Sequence, residues 1–304
     1  MSTVNSLYPG ARVALLCASS AVPEERLESS LAAVRALGLE PAVYPSCYYV
    51  NRHGYFAADD AQRAKDLQDA FSDPTVQGIL CIRGGYGAGR LLPLLNWKDI
   101  ARHPKPLYGY SDVTALHIAL TQRCRMVSYH TPMPSTEWYK DTDEFTMTYL
   151  RRALFGALSG PMPMGETVET LQGGKAKGAL CGGNLSLICD SLGTPWELDT
   201  RGKILFLEDV GEKTYRIDGM LTQLRNAGKL DDCAGILLGY WTDCEPEYPD
   251  RTLTIPQIVE ELVLPAGKPT LAGVPCGHSL PTMSLPLGAM AVMDADAKTL
   301  EVCV

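Results

Sequence analysis

Short apolar runs and amphipathic stretches alternate along the first half of the chain. Residues 12–17 (Arg-Val-Ala-Leu-Leu-Cys) are apolar after the first and read as a buried strand. Pro23-Glu24-Glu25 then opens a stretch in which Leu27, Leu31, Val34 and Leu37 recur at three-to-four spacing, a helix that Gly38 stops. Residues 41–44 read as the next strand, 59–71 as a second amphipathic helix, and 76–82 as a strand that runs into the glycine-rich stretch Arg83–Arg90. A strand at 107–110 and a helix over 112–122 repeat the unit. Strand and helix alternating at these lengths imply a mostly parallel sheet covered on both faces.

The rhythm breaks where glycine and proline crowd together, in Gly160-Pro161-Met162-Pro163-Met164-Gly165 and again in Gly173-Gly174-Lys175-Ala176-Lys177-Gly178. Dense Gly and Pro without periodicity read as a linker. The expected organisation is an N-terminal domain over residues 1–158, a linker over 159–177 and a C-terminal domain over 178–304. In the last of these, strands are expected at 203–207 and 235–240, helices at 216–227 and 254–264, and a closing hairpin from 289–293 and 299–303 with its turn near Asp294-Ala295-Asp296. Mixed in this way, the second domain reads as α+β.

A length of 304 residues fits two domains of ordinary size. A content of 46 % hydrophobic and 20 % charged residues excludes a disordered or fibrous chain. The net charge of −8, with no dense Lys/Arg cluster, argues against a nucleic acid as the main partner. The longest early apolar run, Val13–Ala18, falls far short of the roughly 20 residues that span a bilayer. It is also too short for a signal-peptide core, and Met1–Asn5 carries no positive side chain. Leu15-Leu16-Cys17 resembles a lipoprotein cleavage site, but Leu16 is too bulky for one. The expected location is cytoplasmic. Ten cysteines agree with that: several sit inside apolar runs, as reduced thiols do, and no CxxC pair points to a metal site.

Three stretches carry candidate chemistry. Gly84-Gly85-Tyr86-Gly87-Ala88-Gly89 follows a buried strand and precedes a helical segment, where backbone N–H groups favour an anion. Its spacing is one residue short of a dinucleotide fingerprint, and neither a ribose-binding acid nor a P-loop lysine follows. A cradle for an oxyanion or carboxylate and a purely structural turn remain open. In Gly109-Tyr110-Ser111-Asp112-Val113-Thr114 the serine stands where a strand stops and a helix begins, as in a nucleophile elbow, although Val113 replaces the usual last glycine. An ordinary helix cap is equally open. Ile204-Leu205-Phe206-Leu207-Glu208-Asp209 is an apolar strand ending in two acids, the end of a strand where α/β crevices open, or where a strand simply meets solvent. Of five histidines, His53 and His103 lie in polar loops, and His117 shares a helix with Ser111 but points to a different face. His130 follows a short strand, and His278 follows a glycine in a loop. For each one taken alone, a satisfied loop histidine is the default.

Taken together, Arg83-Gly84-Gly85-Tyr86-Gly87, Gly109-Tyr110-Ser111-Asp112, Gly182-Gly183-Asn184-Leu185, Gly193-Thr194-Pro195-Trp196, Leu207-Glu208-Asp209 and Gly277-His278 resemble the LD-carboxypeptidase family in order and spacing. Those serine peptidases remove the terminal D-alanine of the murein tetrapeptide. The resemblance implies a Rossmann-like N-terminal domain carrying the serine, a C-terminal domain carrying acid and histidine, and an active site in the cleft between them. Ser111 is then the nucleophile, His278 the base and Glu208 the acid that orients it. The backbone N–H groups of Asp112 and Gly85 form the oxyanion hole. Arg83, Gly84, Asn184 and Trp196 are candidates for substrate binding. No metal and no cofactor are implied. The partner is a soluble muropeptide taken up for recycling, and a homodimer is compatible with the family. Two alternatives stand beside this: a microcin C-type immunity peptidase that cleaves a peptidyl-nucleotide, and, from another class, a non-catalytic binding protein for a small anion.

Overall fold

The strands near each sheet's centre, Gly78–Cys81 and Leu107–Gly109 in one and Ile204–Val210 in the other, are buried along nearly their whole length. The computed structural model describes residues 5–48, 54–156, 158–246, 248 and 250–303. Met1–Val4, read above for a leader, and His53 therefore lie outside the described residues. In chain order the strands are β1 (Arg12–Leu16), β2 (Glu40–Val43), β3 (Gly78–Cys81), β4 (Leu107–Gly109), β5 (Ser128–His130), β6 (Gly160–Pro161), β7 (Glu169–Gln172), β8 (Lys175–Asn184), β9 (Ile204–Val210), β10 (Gly235–Thr242), β11 (Thr270–Ala272), β12 (Leu285–Leu287), β13 (Met290–Asp294) and β14 (Thr299–Cys303). They fall into two compact units, Met1–Ala157 with Ser284–Gly288, and Leu158–Met283 with Ala289–Val304.

The first unit holds a six-stranded sheet in the order β12-β5-β4-β3-β1-β2. All neighbours are parallel except β12, which runs antiparallel to β5. Val13–Leu16 and the whole of β3 are buried, as near-continuous apolar runs in a parallel sheet should be. The chain goes from β1 to β2 on one side and returns to β3 on the other. A crevice outside the carboxyl ends of β1 and β3 is where such a reversal places ligands. Helices Glu24–Ala36 and Asp60–Ser72 supply the crossovers, the second capped by Asp59, whose side chain accepts from the Gln62 N–H at 2.8 Å. Residues 284–288 complete this unit from far along the chain, so the boundary differs from the expected C-terminal domain of 178–304.

The second unit holds an eight-stranded mixed sheet, β6-β14-β13-β8-β9-β10-β11-β7. Its centre, β8 to β11, is parallel; the flanking strands pair antiparallel. The closing hairpin β13–β14 lies where its pattern places it. The stretch 159–177, expected as a linker, instead carries β6, β7 and the start of β8. Within it Gly173 and Gly174 pack closely, a Cβ there lying 2.3 Å from Asp296 Oδ1 and 3.1 Å from Pro269 Cγ, whereas Gly160 and Gly165 have open space around them. At Gly182 in β8, where φ is +116°, a Cβ would stand 2.0 Å from the Phe206 carbonyl oxygen of β9. Among the described residues, no helix is long and apolar enough to cross a membrane.

His117 shows how the first unit is pinned. It is fully buried in helix Thr114–Ala119, its Nε2 donates to the Gly109 carbonyl of β4 at 2.8 Å, and its Nδ1 accepts from Ser128 Oγ of β5 at 2.9 Å. Burial lowers its pKa from 6.5 to about 4. The unfolded chain binds a proton here below about pH 6.5 and the folded chain only below about pH 4. Stability contributed by this neutral ring is therefore lost as pH falls through that window, up to about 3 kcal/mol. Urea unfolding at pH 7.5 and 4.5 should show His117→Asn less stable than wild type at the higher pH by about 2 kcal/mol, with most of that gap closed at the lower. Parallel pH slopes for the two proteins would contradict the assignment.

Candidate active site

β4 ends at Gly109, Tyr110 continues extended at φ −152°, and Ser111 then turns into the left-handed region at φ +65°. Only Arg125, Asp243 and Lys298 share such a φ among the described non-glycine residues. A tight turn at Ser111–Val113 leads into helix Thr114–Ala119. This strand–turn–helix geometry is that of a nucleophile elbow, which holds the serine hydroxyl out above the end of the sheet. An ordinary N-cap has extended backbone, which Ser111 at φ +65° does not. Room for the turn comes from the glycine-rich segment. A Cβ on Gly84 would lie 3.0 Å from Ser111 Cβ and 3.2 Å from its Oγ.

Asp112 is buried, and its carboxylate accepts from Ser19 Oγ at 2.5 Å and from the Ala88 N–H at 2.8 Å, with the Gly87 N–H also directed at it. Burial raises its pKa, and these donors pull it back. No hydrogen bond among the described residues takes up the N–H of Gly85 or of Asp112. Arg83 is half-buried and donates from Nη1 to the Ala21 carbonyl at 2.9 Å, a structural bond that also fixes where its guanidinium lies. Tyr110 is anchored by its hydroxyl, which donates to Glu137 Oε1 at 2.8 Å. The other described histidines of this unit do not build the elbow's surface. His117 is the buried pin described above, His130 is buried with its ring 5.5 Å from that of Tyr110, and His103 is exposed beside Asp99.

In the second unit, Glu208 stands near the carboxyl end of β9, completely buried, with its Oε2 2.6 Å from His278 Nδ1. Burial is the largest influence and raises the Glu208 pKa; the imidazole and the Asn184 amide favour the charged form against it. When Nδ1 donates to the carboxylate, Nε2 of a neutral ring is left as the basic nitrogen. That is the orientation a general base needs. Gly277 makes the approach feasible: at φ +135°, a Cβ there would lie 2.9 Å from Glu208 Oε2. The loop is strapped down just after His278. Tyr240 Oη donates to the Pro281 carbonyl at 3.0 Å, and the hydroxyls of Thr242 and Ser279 pair at 2.7 Å.

Asp209, next along β9, faces elsewhere. It accepts from Asn184 Nδ2 at 2.8 Å and from the N–H and Oγ of Ser186 at 2.9 and 2.7 Å. Asn184 is thus the N-cap of helix Leu185–Ser191, accepting from the Leu187 N–H at 3.3 Å, as well as a neighbour of the Glu208–His278 pair. Trp196 is half-buried in the loop that follows this helix. The structure thus brings Ser111 together with Gly84 in one unit, and Glu208 with His278 and Asn184 in the other. The sequence reading missed the buried acceptor roles of Asp112 and Asp209. Ser19-Ser20, polar at the end of an apolar strand beside the sheet's reversal, is the signal that points to the first of them.

Residues 13–131 match the LD-carboxypeptidase N-terminal domain and residues 177–293 the LD-carboxypeptidase C-terminal domain. The chain belongs to the LD-carboxypeptidase family. It is 38 % identical to the probable murein peptide carboxypeptidase of Bacillus subtilis, over 97 % of this chain and 92 % of that one. With the murein tetrapeptide carboxypeptidase of Pseudomonas aeruginosa it shares 31 % identity over 94 % of each. A solved structure of MccF with glutamyl sulfamoyl guanosine superposes with a TM-score of 0.88 over 99 % of this chain and 98 % of that one, at 20 % identity, a likeness of fold.

For this LD-carboxypeptidase family member, the tight fit at Gly277 is directly testable. Gly277→Ala should push the carboxylate and imidazole apart, with a loss of about 1–3 kcal/mol of stability. A strongly deshielded His278 Nδ1 proton, expected in the NMR spectrum of the wild type, should vanish in a variant that still folds. Its persistence would mean the pair tolerates a Cβ there.

Proposed function

We propose that this chain is a serine LD-carboxypeptidase that removes the terminal D-alanine from the murein tetrapeptide L-Ala-γ-D-Glu-diamino acid-D-Ala. The observation that carries this is the left-handed elbow at Ser111, since a strained serine beside a glycine turn has little other use. The Glu208–His278 pair in the second unit supplies the matching base, and the identities to two murein peptide carboxypeptidases support the substrate.

In this function His278 Nε2 takes the Ser111 proton as Oγ attacks the carbonyl that joins the L-centre of the diamino acid to D-alanine. The N–H groups of Asp112 and Gly85 receive the developing oxyanion, each worth about 3–4 kcal/mol of barrier when correctly aimed. Glu208 stays ionised and stabilises the imidazolium. His278 returns the proton to the leaving D-alanine nitrogen, which breaks the C–N bond and leaves an ester on Ser111. Water, deprotonated by the same imidazole, then releases the tripeptide. Arg83 and Asn184 are the candidates to hold the free carboxylate and the substrate backbone, with Gly84 leaving the approach open and Trp196 contributing an apolar wall. A substrate of this kind, met as a soluble fragment, places the enzyme in cytoplasmic murein recycling.

Liquid chromatography with mass detection on the meso-diaminopimelate tetrapeptide tests this. Wild type should release one D-alanine. Ser111→Ala should lower kcat by about 10⁴ to 10⁶, and Glu208→Gln, which keeps the shape but loses the charge, by about 10³ to 10⁴. Processed microcin C run in parallel separates the other branch: cleavage of that compound alone would replace the murein substrate with a peptidyl-nucleotide. A Ser111→Ala protein with undiminished turnover would remove the serine mechanism.

A further inference from the structure

We infer that the Asp112 carboxylate is a positioning group that holds both oxyanion donors in one register, an inference that rests on the peptidase function proposed above. Three segments of the first unit converge on it: the elbow that carries Ser111, the turn 83–90, and the two serines that follow β1. An acid one residue into a helix ordinarily caps it by accepting from N–H groups two or three residues on. Asp112 does not. Its acceptor bonds run backwards, to the Ala88 N–H, the Gly87 N–H and Ser19 Oγ, across 24 residues to the turn and 93 to the serine. The neighbouring serine continues the clamp. Ser20 Oγ accepts from the Tyr86 N–H at 3.3 Å, its own N–H reaches the Gly84 carbonyl at 3.4 Å, and it sits so close to Gly85 that a Cβ there would lie 2.1 Å from Ser20 Oγ.

A buried carboxylate without an ion-pair contact is costly, and three donors offset that cost without making it a gain over an apolar side chain. Its return is geometric. One donor to the oxyanion is Asp112's own N–H. The other is the Gly85 N–H, two residues from a peptide the same carboxylate grips. Oxyanion stabilisation works only with donors held about 2.7–3.1 Å from the developing charge, and a displacement near 1 Å costs on the order of 10²-fold. A carboxylate bonded to both segments sets their spacing directly.

The test compares wild type, Asp112→Asn and Ser19→Ala on the tetrapeptide and on p-nitrophenyl acetate, a small ester that acylates an activated serine without needing the peptide site. Asp112→Asn should lose about 10- to 100-fold in kcat, with KM within about threefold. Acylation by the ester should slow by a similar factor, and a peptide aldehyde that forms a tetrahedral adduct on Ser111 should bind correspondingly more weakly. Ser19→Ala keeps the carboxylate and its backbone donors, and should show the same split with a loss of about three- to tenfold. A merely structural role would lower melting temperature or active fraction without separating kcat from KM or weakening the aldehyde selectively, and that result overturns the inference. So does unchanged turnover in Asp112→Asn. If Asp112→Asn does not fold, Ser19→Ala decides alone. A wild type that ignores the tetrapeptide but is acylated by the ester removes the murein substrate and leaves the Asp112 comparison intact. Inertness to both removes the oxyanion hole and this inference with it.

Discussion

The left-handed backbone at Ser111 is the constraint around which the first unit is arranged. A non-glycine residue held at φ +65° is unfavourable by about 1–2 kcal/mol, and it persists only when its neighbours over-determine it. On the N-terminal side, the Gly109 carbonyl is taken by both His117 Nε2 and the Thr131 N–H, so the end of β4 cannot slide. On the C-terminal side, Asp112 is fastened to the glycine turn and to Ser19. Between two fixed ends a sharp reversal is the path left to the chain. Gly84 supplies the one thing the reversal needs from outside, an absence of side chain where Ser111 must pass. Were either end to loosen, the residue would relax towards an ordinary conformation and carry its hydroxyl elsewhere.

The second unit meets a different difficulty. It keeps a carboxylate completely buried in the centre of a sheet, where desolvation alone would leave it protonated. His278 answers this by donating from Nδ1 at 2.6 Å, and the same bond leaves Nε2 as the basic nitrogen. Solvation that the carboxylate gives up is thus converted into orientation of the ring. The first unit stores strain and the second stores desolvation. Each is set in a sheet whose central strands are buried apolar runs, such as β3 and Ile204–Leu207, with stability to spare for it.

Periodicity alone makes the alternating first half readable, because its strands are bare apolar runs and its helices carry capping and stop signals, such as Asp59 and Gly38. The closing hairpin is readable for a similar reason: its buried and exposed residues alternate with period two. Residues 159–177 mislead because glycine has two uses. It loosens a loop, and it also lets backbones approach closely within a sheet, and composition does not tell these apart. The short strand β12 is invisible locally, since a three-residue Leu-Pro-Leu segment pairs only where an edge is offered. At the site, the residue types and their order are legible, but the difference between cap and elbow at Ser111 lies in one φ angle. What sets His278 apart from an isolated loop histidine is one contact made across 70 residues of chain.

Ser111-Asp112 and Glu208-Asp209 are built alike. In each pair the first residue carries the candidate chemistry and the second turns the opposite way into the scaffold. For Glu208 and Asp209 this follows from the two-residue period of a strand, which sends one carboxylate to His278 and the next to the cap of helix Leu185–Ser191. For Ser111 and Asp112 it follows from the reversal itself. The anchoring acid binds backbone N–H groups in both cases, of Gly87 and Ala88 in one and of Ser186 in the other. Backbone donors have no rotamers to lose, so an acid fastened to them is held nearly as firmly as the main chain. The first residue, one peptide away, inherits that firmness. This explains why acids occupy both second positions, and why Ser111 keeps a left-handed backbone that would otherwise relax.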